Sequence, residues 1–483
     1  MKFSTIATLL PVLASAAKFS KEEYVSGKVH MKHMEAKEAS WATKRAAGKF
    51  ISKKWNGHKA AKVQCNKDGL AVAVKGDPLQ TFKCKGIDMY DFKSHAEMGS
   101  PTGEGSGSWG WTYMGREFMA IGQSDGAAFV EISKSGSLVY LGRLPQQSTP
   151  IIWREIKVNG NYLIVGSEAV DHDIQIFDLR KLLTINPLQP KTFDPKTDLT
   201  GLFTDLPTGR SHNVVVNEEL NYAVAVGAAP RTSACGGGLI FINLDDPSKP
   251  YSEGCAPQDG YVHDAQCIVY RGPDTRYNGK DICYGYNEDT LTIYDVTNKT
   301  GPQAAKVISR TPYVGATYTH QGWVNDPMWQ TRLILDDEID EEERSGPAAD
   351  QFPVSYIFDI TDLEKPVNTG FYKTKVKGID HNQYIYDGLA YQSNYGAGLR
   401  VLDVSTIEED STGAGIEEVA FFDVYPEDDA LPGGGIVDYV GTWSHYTFPS
   451  GWIVVNTIER GAFLLKMNGF KGRGFGKRHI KRT

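Results

Sequence analysis

Residues 260–297 read GYVHDAQCIVYRGPDTRYNGKDICYGYNEDTLTIYDVT, and this stretch decides the fold. It opens with His263 and Asp264 ahead of an apolar run. A second apolar run ends in the polar cluster Asn287-Glu288-Asp289. A third closes on an aliphatic–aromatic–acid–aliphatic signature, Ile293-Tyr294-Asp295-Val296. Short runs of this composition between turn residues read as strands. The signature recurs along the chain. AAFVEIS ends at Ser133, IQIFDL at Leu179, LIFINL at Leu244, SYIFDI at Ile360, LRVLDV at Val404 and GAFLLKM at Met467, so that seven copies stand roughly 45 to 65 residues apart. Turn-rich segments such as DDPSKPYSEGC after Leu244 lead from a signature into a further strand.

Each signature follows an apolar strand with a polar end (EFMAIGQSD, NYLIVGSE, DICYGYNED, TRLILDDE, LAYQSN, WIVVNTIE), and before that lies a strand with a polar opening. Four antiparallel strands repeated at this period are the pattern of propeller blades. The expected fold is therefore all-β, a seven-bladed β-propeller with a short N-terminal helical extension. Seven units are counted from the openings Trp109-Gly110-Trp111 and Trp153-Arg154-Glu155 and from five His openings. Six blades are the alternative, because the first Trp opening lacks His. A lone strand-like segment near residues 83–94 precedes the first unit, and the last unit has no fourth strand of its own, so the segment is expected to close the ring. The Gly-His and Trp-Asp markers of WD repeats do not recur at a steady interval, and a single sandwich would not explain seven matching signatures.

The chain of 483 residues carries a net charge of -8, which argues against nucleic acid as a partner. MKFSTIATLLPVLASA has a positive end, a short apolar stretch and a small-residue cleavage site, so residues 1–17 read as a secretory signal and the protein as secreted and extracellular. No segment is long and apolar enough for a membrane span. Residues 18–60 form a charged helical extension, a surface helix or a processed pro-segment. Residues 61–468 form the propeller and 469–483 a basic flexible tail. Six cysteines in an exported chain read as disulfides, and neighbours are the expected pairs: Cys65 with Cys84, Cys235 with Cys255, Cys267 with Cys283. Asn298-Lys299-Thr300 is a glycosylation sequon.

The signatures resemble LVIVD repeats. The stretch 260–297, together with YTHQGWV, LDDEIDEEE, IDHNQYIYDGLAYQSNYGAGLRVLDV and WREIKVNGNYLIV, resembles the choice-of-anchor B family of secreted proteins over about Cys84 to Met467. The resemblance implies a β-propeller and supplies no catalytic residue. Bacterial members of the family end in varied cell-surface anchors, where this chain has its basic tail.

In a blade, the start of the first strand and the end of the second meet on one face. His212, His263, His320, His381 and His445 open first strands. Asp125, Glu168, Glu288, Asp289, Asp337, Glu338, Asn394 and Glu459 end second strands. Both sets are expected at one mouth of the channel, with Glu155 and Asp264. Three readings follow. Each His bonds a neighbouring blade and locks the ring; or the mouth holds a divalent metal, calcium or a transition ion, on His263, His320, His381, Glu288, Asp337 and Glu338; or facing carboxylates make it a hydrolase or lyase for an extracellular polysaccharide, with Trp109, Trp153, Trp323, Tyr318 and Trp443 stacking sugars. The first two fit an extracellular binding or scaffold protein whose ligand is a protein or polysaccharide. His172, flanked by Asp171 and Asp173, reads as part of a solvated loop, the alternative being a trio that reaches the same face and joins a metal site.

Overall fold

The computed structural model describes residues 18–57, 62–300 and 304–469. The signal segment, the end of the extension and nearly all of the basic tail lie outside the described residues. Seven sheets follow one another along the chain, antiparallel apart from a short parallel strand, Lys191–Thr192, on the edge of the first. Blades 1 to 6 have inner strands Gly105–Tyr113, Arg154–Asn159, Asn213–Asn217, Asp264–Val269, Thr319–Val324 and Gln383–Tyr386. Blade 7 starts at Thr442–Thr447 and takes Ile87–Ser94 as its outer strand, paired antiparallel with Gly461–Met467. The ring thus has seven blades and closes as the sequence suggests. The preceding strand, Thr81–Lys85, adds to the outer edge of blade 6, so the N-terminal segment sews the last two blades together.

The signature acid has a local cause. In blades 2 to 5 the third strands are buried until their final residue, which turns outward. There its side-chain oxygen accepts the amide two residues on: Asp178 from Arg180, Asp295 from Thr297, Asp359 from Thr361 and Asp403 from Ser405. Asn243 does the same for Asp245 in blade 3. This side-chain-capped turn ends the strand and starts the return. A register shift recurs just ahead of it, at Phe241/Ile242, Ile293/Tyr294, Ile357/Phe358 and Val401/Leu402. Bulges of this kind raise the local twist that a blade needs.

The core lies between blades, where aliphatic and aromatic residues of one sheet meet the next. The closure is part of it: Phe82, Phe92, Phe422 and Phe463 share a cluster with Ile87 and Val455. The three disulfides pair as expected, 65–84, 235–255 and 267–283. Cys267 and Cys283 face each other across the first two strands of blade 4. Asn298 of the sequon is exposed in a turn.

Residues Lys21–Val25 and Lys28–Ala46 are helices. The second is no free surface helix. Its Val29, His33, Lys37 and Trp41, four residues apart, are buried against the propeller.

Because closure depends on a strand from the other end of the chain, Phe92→Ala should cost about 3–5 kcal/mol of stability. Urea unfolding measures it. A loss below about 1 kcal/mol would mean that the blade 7 seam does not hold the ring.

Candidate functional site

The inner strands all start at one end of the channel. His212 and His263 immediately precede their strands, His320 is the second residue of its strand, and His381 stands two residues ahead. Successive blades therefore present imidazoles side by side. Ring centroids are 4.1 Å apart for His212 and His263, 4.3 Å for His263 and His320, and 4.5 Å for His320 and His381. Four of the five expected histidines gather in this arc, and all four are buried.

Each ring is held through Nδ1. His263 Nδ1 donates to the His320 carbonyl at 2.9 Å, and His381 Nδ1 to the Trp443 carbonyl at 2.7 Å. Both bonds cross to the next blade. His320 Nδ1 meets Asp336 Oδ1 at 3.0 Å, and His212 Nδ1 meets Glu168 Oε1 at 2.5 Å. A carbonyl acceptor can only take a proton, which fixes the tautomer and leaves the Nε2 lone pair available. Burial drives His263 and His320 well below the ordinary imidazole value and His381 down to about 4.

Glu338 is where these rings point. Its Oε1 lies 3.6 Å from His381 Nε2 and its Oε2 3.9 Å from His320 Nε2. Ligand atoms of His263, His320 and Glu338 fall within 4.8 Å of one another. The helix Lys28–Ala46 completes the group: His33 Nε2 is 2.8 Å from Oε2, and Lys37 Nζ is 2.5 Å from Oε1. Tyr395 donates its hydroxyl to Oε1 at 2.6 Å. Burial works to raise the Glu338 pKa, but Lys37, His320 and His33 outweigh it and hold the carboxyl well below its usual range. Burial pulls Lys37 downward in spite of Glu338. With three donors at bonding distance, Glu338 is an ionised carboxylate.

The helix is fastened at both ends. His30 Nδ1 meets the Tyr318 hydroxyl at 2.6 Å. Trp41 donates Nε1 to the Tyr439 carbonyl at 2.8 Å and packs against Trp153 and Trp443. Lys44 pairs with Asp438, and Arg45 forks onto Glu104. A pocket of about 610 Å³ remains beside the helix, lined by His30, Met34, Trp153, Arg210, Arg231 and Tyr261.

Several expected ligands are committed elsewhere. Glu288 takes a two-pronged pair from Arg231 at 2.8 Å on each oxygen, so it is not at the imidazole centre. Asp337 accepts from Tyr313, Thr317 and the Tyr318 amide and serves the backbone of blade 5. His445 lies deeper, bonded to Ser393 and against Tyr384, because Trp443 occupies the mouth position of blade 7. Glu155 accepts from Trp443 Nε1 at 2.8 Å, and Glu459 from the Gly441 amide. Asp264 sits one step down its strand, with burial raising its pKa to about 7. His172 is fully buried rather than solvated, bonded to Arg154 at 2.7 Å.

The aromatic set divides. Trp153, Tyr318 and Trp443 are at the helix-covered mouth. The inner strand of blade 1 begins at Gly105, so Trp109 belongs to the other end, where it joins Trp323, Tyr386 and Tyr446 around a pocket of about 340 Å³. The helix itself is the part of the site that the sequence reading missed. Its signal was a four-residue repeat with a histidine and a lysine in the middle, which no apolar stripe betrays.

The buried neutral state of His381 makes stability pH-dependent. Its folded pKa lies below the ordinary value of about 6.5, so as pH falls from 6.5 to 4 only the unfolded chain takes up the proton. Relative to His381→Gln, the wild type should lose up to roughly 3 kcal/mol over that window. Denaturant melts of both proteins from pH 7 to 4 test this, and a constant difference would refute it.

No protein-family model matches the chain, and no curated protein does. Among solved structures it is similar to the computationally designed Ika8 protein, at 10% identity and TM-score 0.44, covering 85% of this chain and 98% of that one. It is similar to a putative 6-phosphogluconolactonase from Bacteroides fragilis, at 12% identity and TM-score 0.41 (74% and 88% covered). Another putative 6-phosphogluconolactonase, from Bacteroides uniformis, gives 13% and 0.46 (76% and 94% covered). None of these likenesses bears on the chemistry of the mouth.

Proposed function

We propose that this is a secreted binding or scaffold propeller of the choice-of-anchor B type, and that its imidazole mouth takes a divalent transition-metal ion. The ligands are Nε2 of His263, His320 and His381, with Glu338. One observation carries the reading: three neighbouring rings have Nδ1 engaged by a carbonyl or carboxylate, which leaves the Nε2 lone pair of each ring free to take a cation beside Glu338. Metal-binding histidines are oriented in this way by their outer partners. Neutral imidazoles mixed with one carboxylate suit a transition ion better than calcium. The Nδ1 bonds of His263 and His381 tie neighbouring blades together, so there the ring-locking role and the ligand role use opposite sides of the ring.

Lys37 is the competitor. Its ammonium pairs with Glu338 where a bound ion would supply positive charge, and it arrives on the N-terminal helix. Ion binding and helix docking therefore oppose each other. Export is supported by the three disulfides and by the exposed sequon at Asn298. No helix among the described residues is long and apolar enough to cross a membrane. The polysaccharide-cleaving alternative gains no support, because Glu155, Glu168 and Glu338 each bind a donor and the helix fills the mouth.

Lys37→Met keeps the volume and removes the charge. Without metal it should destabilise the protein by about 3 kcal/mol, since it removes one partner of a buried pair. It should also bind one equivalent of zinc or manganese at least tenfold tighter than the wild type. Adding His263→Ala or His320→Ala should abolish that gain. Elemental analysis and calorimetric titration read the result, and metal uptake indifferent to the histidines would end the proposal.

A further inference from the structure

We propose a second, separate cation site, for calcium, at the seam between blades 5 and 6. After the second strand of blade 5, Arg332–Asp337, the chain makes a helical turn closed by the Glu343 amide on the Ile339 carbonyl. The turn folds Asp340 and Glu341 inward. Asp380, just ahead of the inner strand of blade 6, comes to meet them. Oxygens of Asp340, Glu341 and Asp380 lie within 4.8 Å of one another.

The distinguishing observation is what these carboxylates lack. Asp340 and Glu341 are 0% exposed and Asp380 2%. Both oxygens of Asp380 have no hydrogen-bond partner among the described residues, and Glu341 and Oδ1 of Asp340 meet no donor side chain there, only each other and the Glu341 amide. Asp340 Oδ2 is served by the Tyr356 hydroxyl at 2.7 Å. No lysine, arginine or histidine among the described residues forms an ion pair with any of the three. Buried carboxylates are otherwise paired or bound to metal, because an uncompensated charge in the interior costs several kcal/mol.

The donor set selects the ion. It is all carboxylate oxygen, without ring nitrogen or thiolate, which is hard-cation chemistry. Calcium bonds oxygen at about 2.3–2.6 Å in flexible geometry, so ligand oxygens on opposite sides of it stand about 4.6–5.2 Å apart. Oxygens that all lie within 4.8 Å of one another can share one such ion. Magnesium demands a tighter, near-octahedral shell and gives up its waters reluctantly. The ion would cross-link the outgoing turn of blade 5 to the start of blade 6. It would also lie near Asp336, whose Oδ2 is unpartnered and whose Oδ1 holds His320 Nδ1.

The test uses the full chain freed of metal with a chelator. Terbium, excited through tyrosine, should give sensitised emission that saturates near one equivalent, since Tyr356 bonds directly to a ligand. Calcium should displace it at concentrations at least tenfold below those needed for magnesium, and should raise the melting temperature. Asp380→Asn and Glu341→Gln should each weaken calcium binding at least tenfold, yet melt no lower than the wild type in chelator because repulsion is relieved. His263→Ala should leave the terbium signal unchanged. Absence of calcium binding by the wild type, binding that survives both carboxylate substitutions, or a signal lost with His263→Ala would each overturn the assignment.

Discussion

A carboxylate buried at the mouth of a ring of sheets must be compensated, and that requirement organises one whole face of this protein. Glu338 is fully buried. Desolvating it costs several kcal/mol, and only close donors offset that. The donors come from two places: His33 and Lys37 on the N-terminal helix, and Tyr395 on blade 6. The extension is thereby bound to the propeller by electrostatics at its centre and by Trp41 and Arg45 at its end. Removing any one donor leaves the others to carry a buried charge.

The channel has two chemistries because strand alternation and direction impose them. Every inner strand starts at the polar mouth and ends at the opposite one. His and Asp therefore collect at the start, while Trp109, Trp323 and Tyr384 meet farther along, with ring centroids 5.1 and 5.2 Å apart. Lys157 lies over Trp109 at 4.8 Å. Polar groups at the mouth find partners on the neighbouring blade, as His263 and His381 do, so the cost of burying them is met by bonds that also fix blade spacing.

Much of this was legible in the residues. The signature acid is visible because the turn it caps requires it, and the strands are visible through their composition. Four of the five mouth histidines lie where strand direction places them. Other parts were not legible, for reasons that are local. Trp109-Gly110-Trp111 reads as the opening of the first unit, whereas the inner strand starts at Gly105 and is pressed so closely against its neighbours that glycine is needed: a Cβ at Gly107 would stand 2.1 Å from Glu155. LDDEIDEEE gives Asp337 and Glu338 as mouth residues, but nothing in it tells that Asp336, Asp340 and Glu341 are buried as well. The helix was read as a surface element because the face it buries carries His33 and Lys37. Burial of polar groups is decided by partners far away in the chain, and no window of sequence contains them.

The account rests on the helix being seated in the mouth through Glu338. Amide hydrogen exchange over residues 28–46 measures that seating directly. In the wild type these amides should exchange slowly, on the scale of the blade 5 strands. In Glu338→Gln they should exchange much faster while the blade strands stay protected. Exchange in the wild type as fast as in a free peptide, or protection indifferent to Glu338, would contradict it.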